Sequence, residues 1–321
     1  MHILIAPDKL RGTYTAAEAA RALAGGWAAV RPDDALELVP LADGGEGTAA
    51  ALLAAAGGEW AEADVHDALG RPCRARFALL ADGAAAVDVA EAVGALRVAD
   101  RPAQPVDASS RGAGELIRAA IEAGARRIIV GVGGTATTDG GAGLRDALGD
   151  LPAGIELVAA LDVRNPLLGA DGAAAVYGPQ KGATADQVRE LEARLEALAL
   201  PTAGLPGAGA GGGIGAMLMA LGAAAASGGA LVMEAAGLDR RLAEADRCLT
   251  AEGRIDMQTL SGKVVALVAE RCRLAGVPCT AVGGAVERPA AAALGRIGCV
   301  THRRGDLELA GRELATAWPG S

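Results

Sequence analysis

ARRIIVGVGGTATTDGGAG, Ala125–Gly143, runs from apolar residues directly into glycines, three threonines and one carboxylate. A buried strand that ends this way delivers polar groups to the rim of a parallel sheet, which points to the α/β class. Glycine permits positive φ and close approach of backbone to backbone or ligand. Thr135, Thr137, Thr138 and Asp139 supply donors, acceptors and one charge in a small space. Two readings stand side by side: the segment cradles a phosphate or polyol, or it only turns the chain and caps the next helix.

Outward from this stretch the strand-then-helix alternation recurs at both ends. HILIAP (2–7) and ALELVPLA (35–42) read as strands, each followed by a helical pattern, TAAEAARALAGGWAAV (15–30) and GTAAALLAAAGG (47–58). Thr15 and Glu18 have the spacing of a capping box. Near the other end DRCLTAE, SGKVVALVAERCRLAG, VPCTAVGG, RPAAAALGRI and GCVTHR alternate in the same way, so both ends imply parallel strands joined by crossovers. The middle differs. WAEADVHDALGRPCRARFALL (60–80) and AAAVDVAEAVG (84–94) look like shorter, antiparallel-prone strands, and ADQVRELEARLEALAL (185–200) is a charged surface helix. The expected architecture is a discontinuous, doubly wound α/β domain over 1–60 and 240–321, with an inserted α/β domain over 61–239.

Composition narrows the partners. A chain of 321 residues with 51% hydrophobic residues can bury a large core. Its net charge is −9, and no Lys or Arg stripe is interleaved with aromatics, which removes nucleic acid and anionic membrane surfaces from consideration. Five scattered cysteines without a CxxC pair, and three histidines without HxH or HxxxH spacing, give no disulfide framework and no thiolate or imidazole metal motif. The expected home is the reducing cytoplasm. The apolar run at the N-terminus is too short for a signal peptide, and no stretch has the length and purity of a membrane span.

Five polar clusters stand at expected strand ends or helix starts. APDKLRG carries Asp8, Lys9 and Arg11, and LADGGEGT sets Asp43 and Glu46 among Gly44, Gly45 and Gly47. Carboxylates so close together need a cation, a hydroxyl or a helix N-terminus nearby, although Asp43 could also simply open a turn. The opening stretch is the third, with SSRGAGELI (109–117) starting the helix before it. LDVRNPLLG and YGPQKGA bring Asp162, Arg164, Asn165, Gln180 and Lys181 on proline-shaped loops. TAEGRIDMQTLSGK concentrates Glu252, Arg254, Asp256, Gln258, Thr259 and Lys263 in one loop and helix start after a strand. LPGAGAGGGIGAML contains a formal GxGxxG at Gly207, Gly209 and Gly212, but no strand precedes it cleanly; an anion cradle at a helix N-terminus, or close helix packing, fits it better. Neither GxxxxGK[ST] nor GxSxG occurs. Carboxylates, hydroxyls, Lys, Arg and glycine cradles without a thiolate or imidazole cluster are the set that phosphoryl transfer requires.

APDKLRG, LADGGEGT, GVGGTATTDGGAG, LDVRNPL, YGPQKGA, PGAGAGGG and AEGRIDMQTLSGK, in this order, resemble the motifs of the type I glycerate kinase family from Pro7 to about Gly284. The resemblance implies ATP-dependent phosphorylation of D-glycerate at O2 with Mg²⁺, on a discontinuous Rossmann-like domain carrying an inserted α/β domain; a homodimer is compatible with it. Lys9, Leu10 and Arg11 stand where the family pattern has Ser, Phe and Lys, and Ala251 stands where it has Gly. Within these motifs the expected substrate contacts are Asp8, Arg11, Gly44, Gly45 and Arg254. Asp43 or Asp139 is expected to orient the acceptor hydroxyl and take its proton late. Lys181 or Lys263 would neutralise the moving phosphoryl group, with Gly133, Gly134, Thr135, Gly209, Gly211 and Gly212 cradling phosphate. Glu46, Asp162, Glu252 and Asp256 are the expected Mg²⁺ ligands. Two other readings are an NAD(P)-dependent oxidoreductase built around GAGAGGG, and a sugar-acid-binding protein without catalysis.

Overall fold

The computed structural model describes residues 1–10 and 12–318. The chain packs as two units, Met1–Asp43 with Gly229–Ser321, and Gly44–Gly228. In chain order the first unit begins with β1 (His2–Ile5), α1 (Ala16–Ala28) and β2 (Ala35–Leu38). The second holds α2 (Thr48–Ala56), β3 (Gly58–His66), β4 (Pro72–Leu80), β5 (Ala85–Asp88), α3 (Ala90–Val93), α4 (Arg111–Glu122), β6 (Arg127–Gly131), α5 (Ala142–Leu148), β7 (Glu156–Leu161), α6 (Ala173–Tyr177), α7 (Ala185–Ala197), α8 (Ile214–Ala220) and β8 (Ala224–Ser227). The first unit resumes with α9 (Gly228–Ala235), α10 (Leu238–Leu242), β9 (Arg247–Ile255), α11 (Val264–Ala275), β10 (Cys279–Val286), α12 (Arg288–Arg296), β11 (Cys299–Arg303) and α13 (Leu307–Ala317).

The first unit is built on a wholly parallel sheet of order β11-β10-β9-β1-β2. Ile3 pairs with Leu36 on one side and Arg247 on the other, so the N- and C-terminal parts of the chain meet inside one sheet. Ile3, Leu4 and Ile5 are fully buried, as a strand covered on both faces requires. Thr15 and Glu18 form the capping box expected from their spacing, and α1 turns Ala19, Ala20, Leu23 and Trp27 into the core. There it meets Leu307, Ala310 and Ala315 of α13. The two helices cross where each is stripped to glycine: a Cβ on Gly26 would overlap the Glu308 carbonyl oxygen, and one on Gly311 the Leu23 carbonyl oxygen. Cys248, Cys279 and Cys299, far apart in sequence, stand in register across β9, β10 and β11 as buried free thiols.

The second unit carries a mixed sheet of order β3-β4-β5-β6-β7-β8, antiparallel from β3 to β5 and parallel from β5 to β8. Apolar faces of β5, β6, α4 and α5, with Ile128, Val130, Leu116, Ile117 and Leu144, form its main core.

Three expectations change. AAAVDVAEAVG is not one strand: β5 stops at Asp88, pairs parallel with β6, and the chain turns at once into the helical turn α3. Glu252 and Arg254 do not lie in a loop, because β9 continues to Ile255, held by pairing of Arg254 and Ile255 with Ala285 and Val286 at the end of β10. The units divide at Asp43 and Gly228 rather than near 60 and 240, since α2 rests on β4 and β5 and α10 rests on α11. No helix among the described residues is long and apolar enough to cross a membrane.

Candidate active site

In the first sheet the chain proceeds from β1 to β2 in one direction and through β9, β10 and β11 in the other. The strand order thus reverses between β1 and β9, and open α/β sheets bind ligands outside the carboxyl ends of the strands at such a point. Asp8 and Lys9 follow β1 there, and the Asp8 N–H donates to the Ala251 carbonyl of β9 (3.0 Å). Asp8 is buried and accepts the Lys9 N–H at 2.7 Å. Burial, with the charges of Asp43 and Glu252 adding to it, pushes the Asp8 carboxyl up to about 7 against the opposing pull of Lys9. Lys9 Nζ stands 3.6 Å from the buried Asp43 carboxylate.

Glu252, the next residue of β9 after Ala251, is buried too. Its Oε1 accepts from Lys263 Nζ (2.8 Å), at the N-cap of α11, and its Oε2 from Thr259 Oγ1 (2.9 Å). Burial raises its carboxyl, and Lys263 and Thr259 limit the rise. Asp256 is occupied as a turn residue, accepting the N–H groups of Gln258 and Thr259. Arg254 points outward and pairs with Glu287 at 2.5 Å. Asp8, Lys9, Asp43, Glu252, Thr259 and Lys263 therefore form one polar group, its carboxylates and Thr259 buried and its two ammonium groups half-buried. Arg11 lies outside the described residues.

In the second unit the opening stretch does several things at once. Thr135, Thr137 and Thr138 are buried. Lys181, on the 3₁₀ turn Pro179–Lys181, donates to Thr135 Oγ1 (3.2 Å) and the Thr137 carbonyl (2.6 Å). Burial of its ammonium lowers Lys181 to about 8, with Asp139 pulling the other way. Asp139 accepts from the Ser110 N–H and Oγ (both 2.8 Å) and from the N–H groups of Gly141 (3.1 Å) and Gly143 (3.2 Å). Its carboxylate ties the starts of α4 and α5 together. Thr138 Oγ1 is buried without a hydrogen-bond partner.

The glycines divide by role. A Cβ on Gly133 would stand 2.5 Å from Gly45 Cα, so the Gly44–Gly45 segment lies directly against the exit of β6. Gly209 and Gly212 leave room for the carbonyl oxygens of Pro166 and Thr137, and Gly211 for Val132 Cγ1. The close-packing reading of GAGAGGG thus accounts for all three, and the segment before α8 is turns and a short 3₁₀ helix rather than a strand. That removes the dinucleotide fingerprint, which needs a strand leading into its glycines. Beside Gly134 an open cavity is lined by Glu46, Glu91 and Arg97.

The expected Mg²⁺ ligands divide between the units, Glu46 and Asp162 in the second and Glu252 and Asp256 in the first. Among the described residues no three of His, Cys, Asp and Glu are gathered to hold a metal ion. Glu252 is engaged by Lys263 and Thr259, Asp256 by its turn, and Asp162 sits near Tyr177, whose hydroxyl is raised to about 12 by burial and by the Asp162 charge. Two polar residues stand outside the expected site residues: Asp88, which accepts the Gly47 and Ala49 N–H groups, and Ser110, which donates to Asp139. Asp88 is a lone carboxylate inside AAAVDVAEAVG, and Ser110 is one of two serines before α4. The usable signal for Asp88 was an apolar run ending in a carboxylate, the same pattern as the opening stretch.

A family model described as "Glycerate kinase family" matches residues 3–153 and 150–311. A glycerate kinase of Bacillus subtilis (strain 168) is 38% identical, over 90% of this chain and 86% of its own length. The glycerate 2-kinase of Escherichia coli (strain K12) is 37% identical, over 89% and 86%. A crystal structure from Salmonella typhimurium LT2, of a protein assigned as glycerate kinase 2, superposes with a TM-score of 0.78 at 34% identity, covering 98% of this chain and 97% of that one.

Proposed function

The chain belongs to the glycerate kinase family, and from that premise we propose that it transfers the γ-phosphoryl group of ATP to a hydroxyl of D-glycerate. The observation that carries the chemistry is the polar group at the reversal point of the first sheet, where Asp43 and Glu252 are paired with Lys9 and Lys263 and the third carboxyl, Asp8, is raised to about 7. Phosphoryl transfer asks the protein mainly to position groups and balance charge.

In this reading Asp43, steadied by Lys9, orients the acceptor hydroxyl and accepts its proton late. The Asp43 charge adds to the burial that raises the neighbouring Asp8 carboxyl, so Asp8 can hold a proton beside it. Lys263 supplies positive charge at the start of α11, and Lys181 does so beneath the threonine loop. Arg11 or Arg254 would hold the glycerate carboxylate, Arg254 after exchanging Glu287 for substrate. Asp139, saturated by four donors, serves as a clamp rather than as the base. Mg²⁺ would arrive on the nucleotide, whose phosphates are its usual ligands. The acceptor is taken as O2, in line with the 2-kinase name of the E. coli relative.

Phosphorus NMR of the product made from D-glycerate and ATP tests both levels. 2-Phosphoglycerate is the expected product. 3-Phosphoglycerate would move the acceptor to O3, and neither ester would remove the kinase reading.

A further inference from the structure

Asp88 ends β5 and is buried, yet no step above uses it. Its Oδ2 accepts the Gly47 N–H at 2.8 Å and its Oδ1 the Ala49 N–H at 3.0 Å. Those two amides open α2, whose own N-cap is Gly47 at φ 98, a residue with no side chain to cap anything. The carboxylate that the helix start lacks comes from a strand far away in sequence. Around this bond the backbone leaves no slack. A Cβ on Gly131 would lie 2.6 Å from Asp88 Oδ1 and 3.2 Å from the Gly44 carbonyl oxygen. Gly133 is closed in the same way by Gly45 Cα. The loop therefore touches the exits of both β5 and β6, and Glu46, one residue before the bonded amide, lines the cavity shared with Gly134.

We infer that Asp88 is a positioning residue, fixing the Gly44–Gly47 loop and aiming Glu46 into that cavity. The inference rests on the phosphotransfer reading above, since it is the working loop that Asp88 is said to hold. A carboxylate suits the task because it accepts two N–H groups at once and offsets the positive end of α2. Asparagine keeps one acceptor oxygen and turns a donor toward the other amide, so it should hold the loop only in part.

The test compares D88N and D88A with the unchanged protein, at a temperature where circular dichroism shows all three folded. Glycerate-dependent ADP release gives kcat and KM, and hydrogen–deuterium exchange follows the amides of residues 44–50. The expected result is a fall in kcat of at least tenfold for D88A and a smaller fall for D88N. The KM for ATP should stay within twofold, and exchange at 44–50 should quicken in the same order while α4 is unaffected. A purely structural residue would lower the melting temperature and leave kcat of the folded molecules alone; folded D88A with unchanged kcat, or with unchanged exchange at 44–50, overturns the inference. If D88A does not fold, D88N decides by the same two readouts. Should the unchanged protein fail to phosphorylate glycerate, it is the functional reading that falls, and exchange at 44–50 still decides whether Asp88 holds the loop.

Discussion

An ionised Asp8 is a buried negative charge beside two others, and the folded chain tolerates it only by holding a proton until pH reaches about 7. The ordinary value is 3.8, so between roughly pH 4 and 7 the folded state binds a proton that the unfolded state has released. That contribution to stability is complete below pH 4 and is lost as pH rises through 7. Asp8→Asn should therefore gain on the unchanged protein between pH 5 and pH 8, by on the order of 1–3 kcal/mol at the upper end. Urea unfolding at both values measures it; an equal difference at the two would show that Asp8 is not held protonated. Asp139 makes a contrasting case. With four donors on its carboxylate, Asp139→Asn should cost about 1–3 kcal/mol in stability, while kcat of the folded enzyme stays within tenfold. A loss of about a thousandfold, some 4 kcal/mol of transition-state stabilisation, would return Asp139 to the role of base. The sequence could present Asp43 and Asp139 only as equal carboxylates in glycine loops. What separates them is the set of amides around Asp139, supplied partly by Ser110 from another helix start, and no local pattern records that.

At the level of elements, the alternation of apolar runs and capped helices was legible because each signal is local. Thr15 and Glu18 cap α1, and the 3.6-residue spacing of 185–200 gives α7 with Leu191 and Leu195 inward. The length of β9 was not legible: EGRI looks like a charged loop until β10 is beside it, because ladder pairing, not side-chain pattern, keeps it extended. GAGAGGG was open to two readings for a similar reason, since glycines required for binding and for packing look alike in sequence. Gly212 lies at φ 70, and a Cβ there would overlap the Thr137 carbonyl oxygen, the acceptor that Lys181 also uses. Gly212→Ala should accordingly cost at least ~3 kcal/mol, combining backbone strain with a displaced loop. A melting temperature within a degree or two of the unchanged protein would show that the turn can shift to accept it.

For the whole molecule, two units with separate cores make a separable prediction. Residues 44–228 contain a complete mixed sheet with helices packed on it, and expressed alone they should unfold in one cooperative transition, with native-like near-UV circular dichroism below it. A non-cooperative melt would mean that this unit depends on the rest of the chain. The first unit cannot be cut so simply, because β1 pairs with β2 on one side and with β9 on the other. This has a consequence on the ribosome. At about 5–20 residues per second, roughly 10–50 s separate the synthesis of β1 from that of β9. Throughout that interval Ile3, Leu4 and Ile5 emerge with only one of their two neighbouring strands available, while the whole of 44–228 is translated. The inserted unit can finish folding first, and the nascent N-terminus is the segment a chaperone should be found holding.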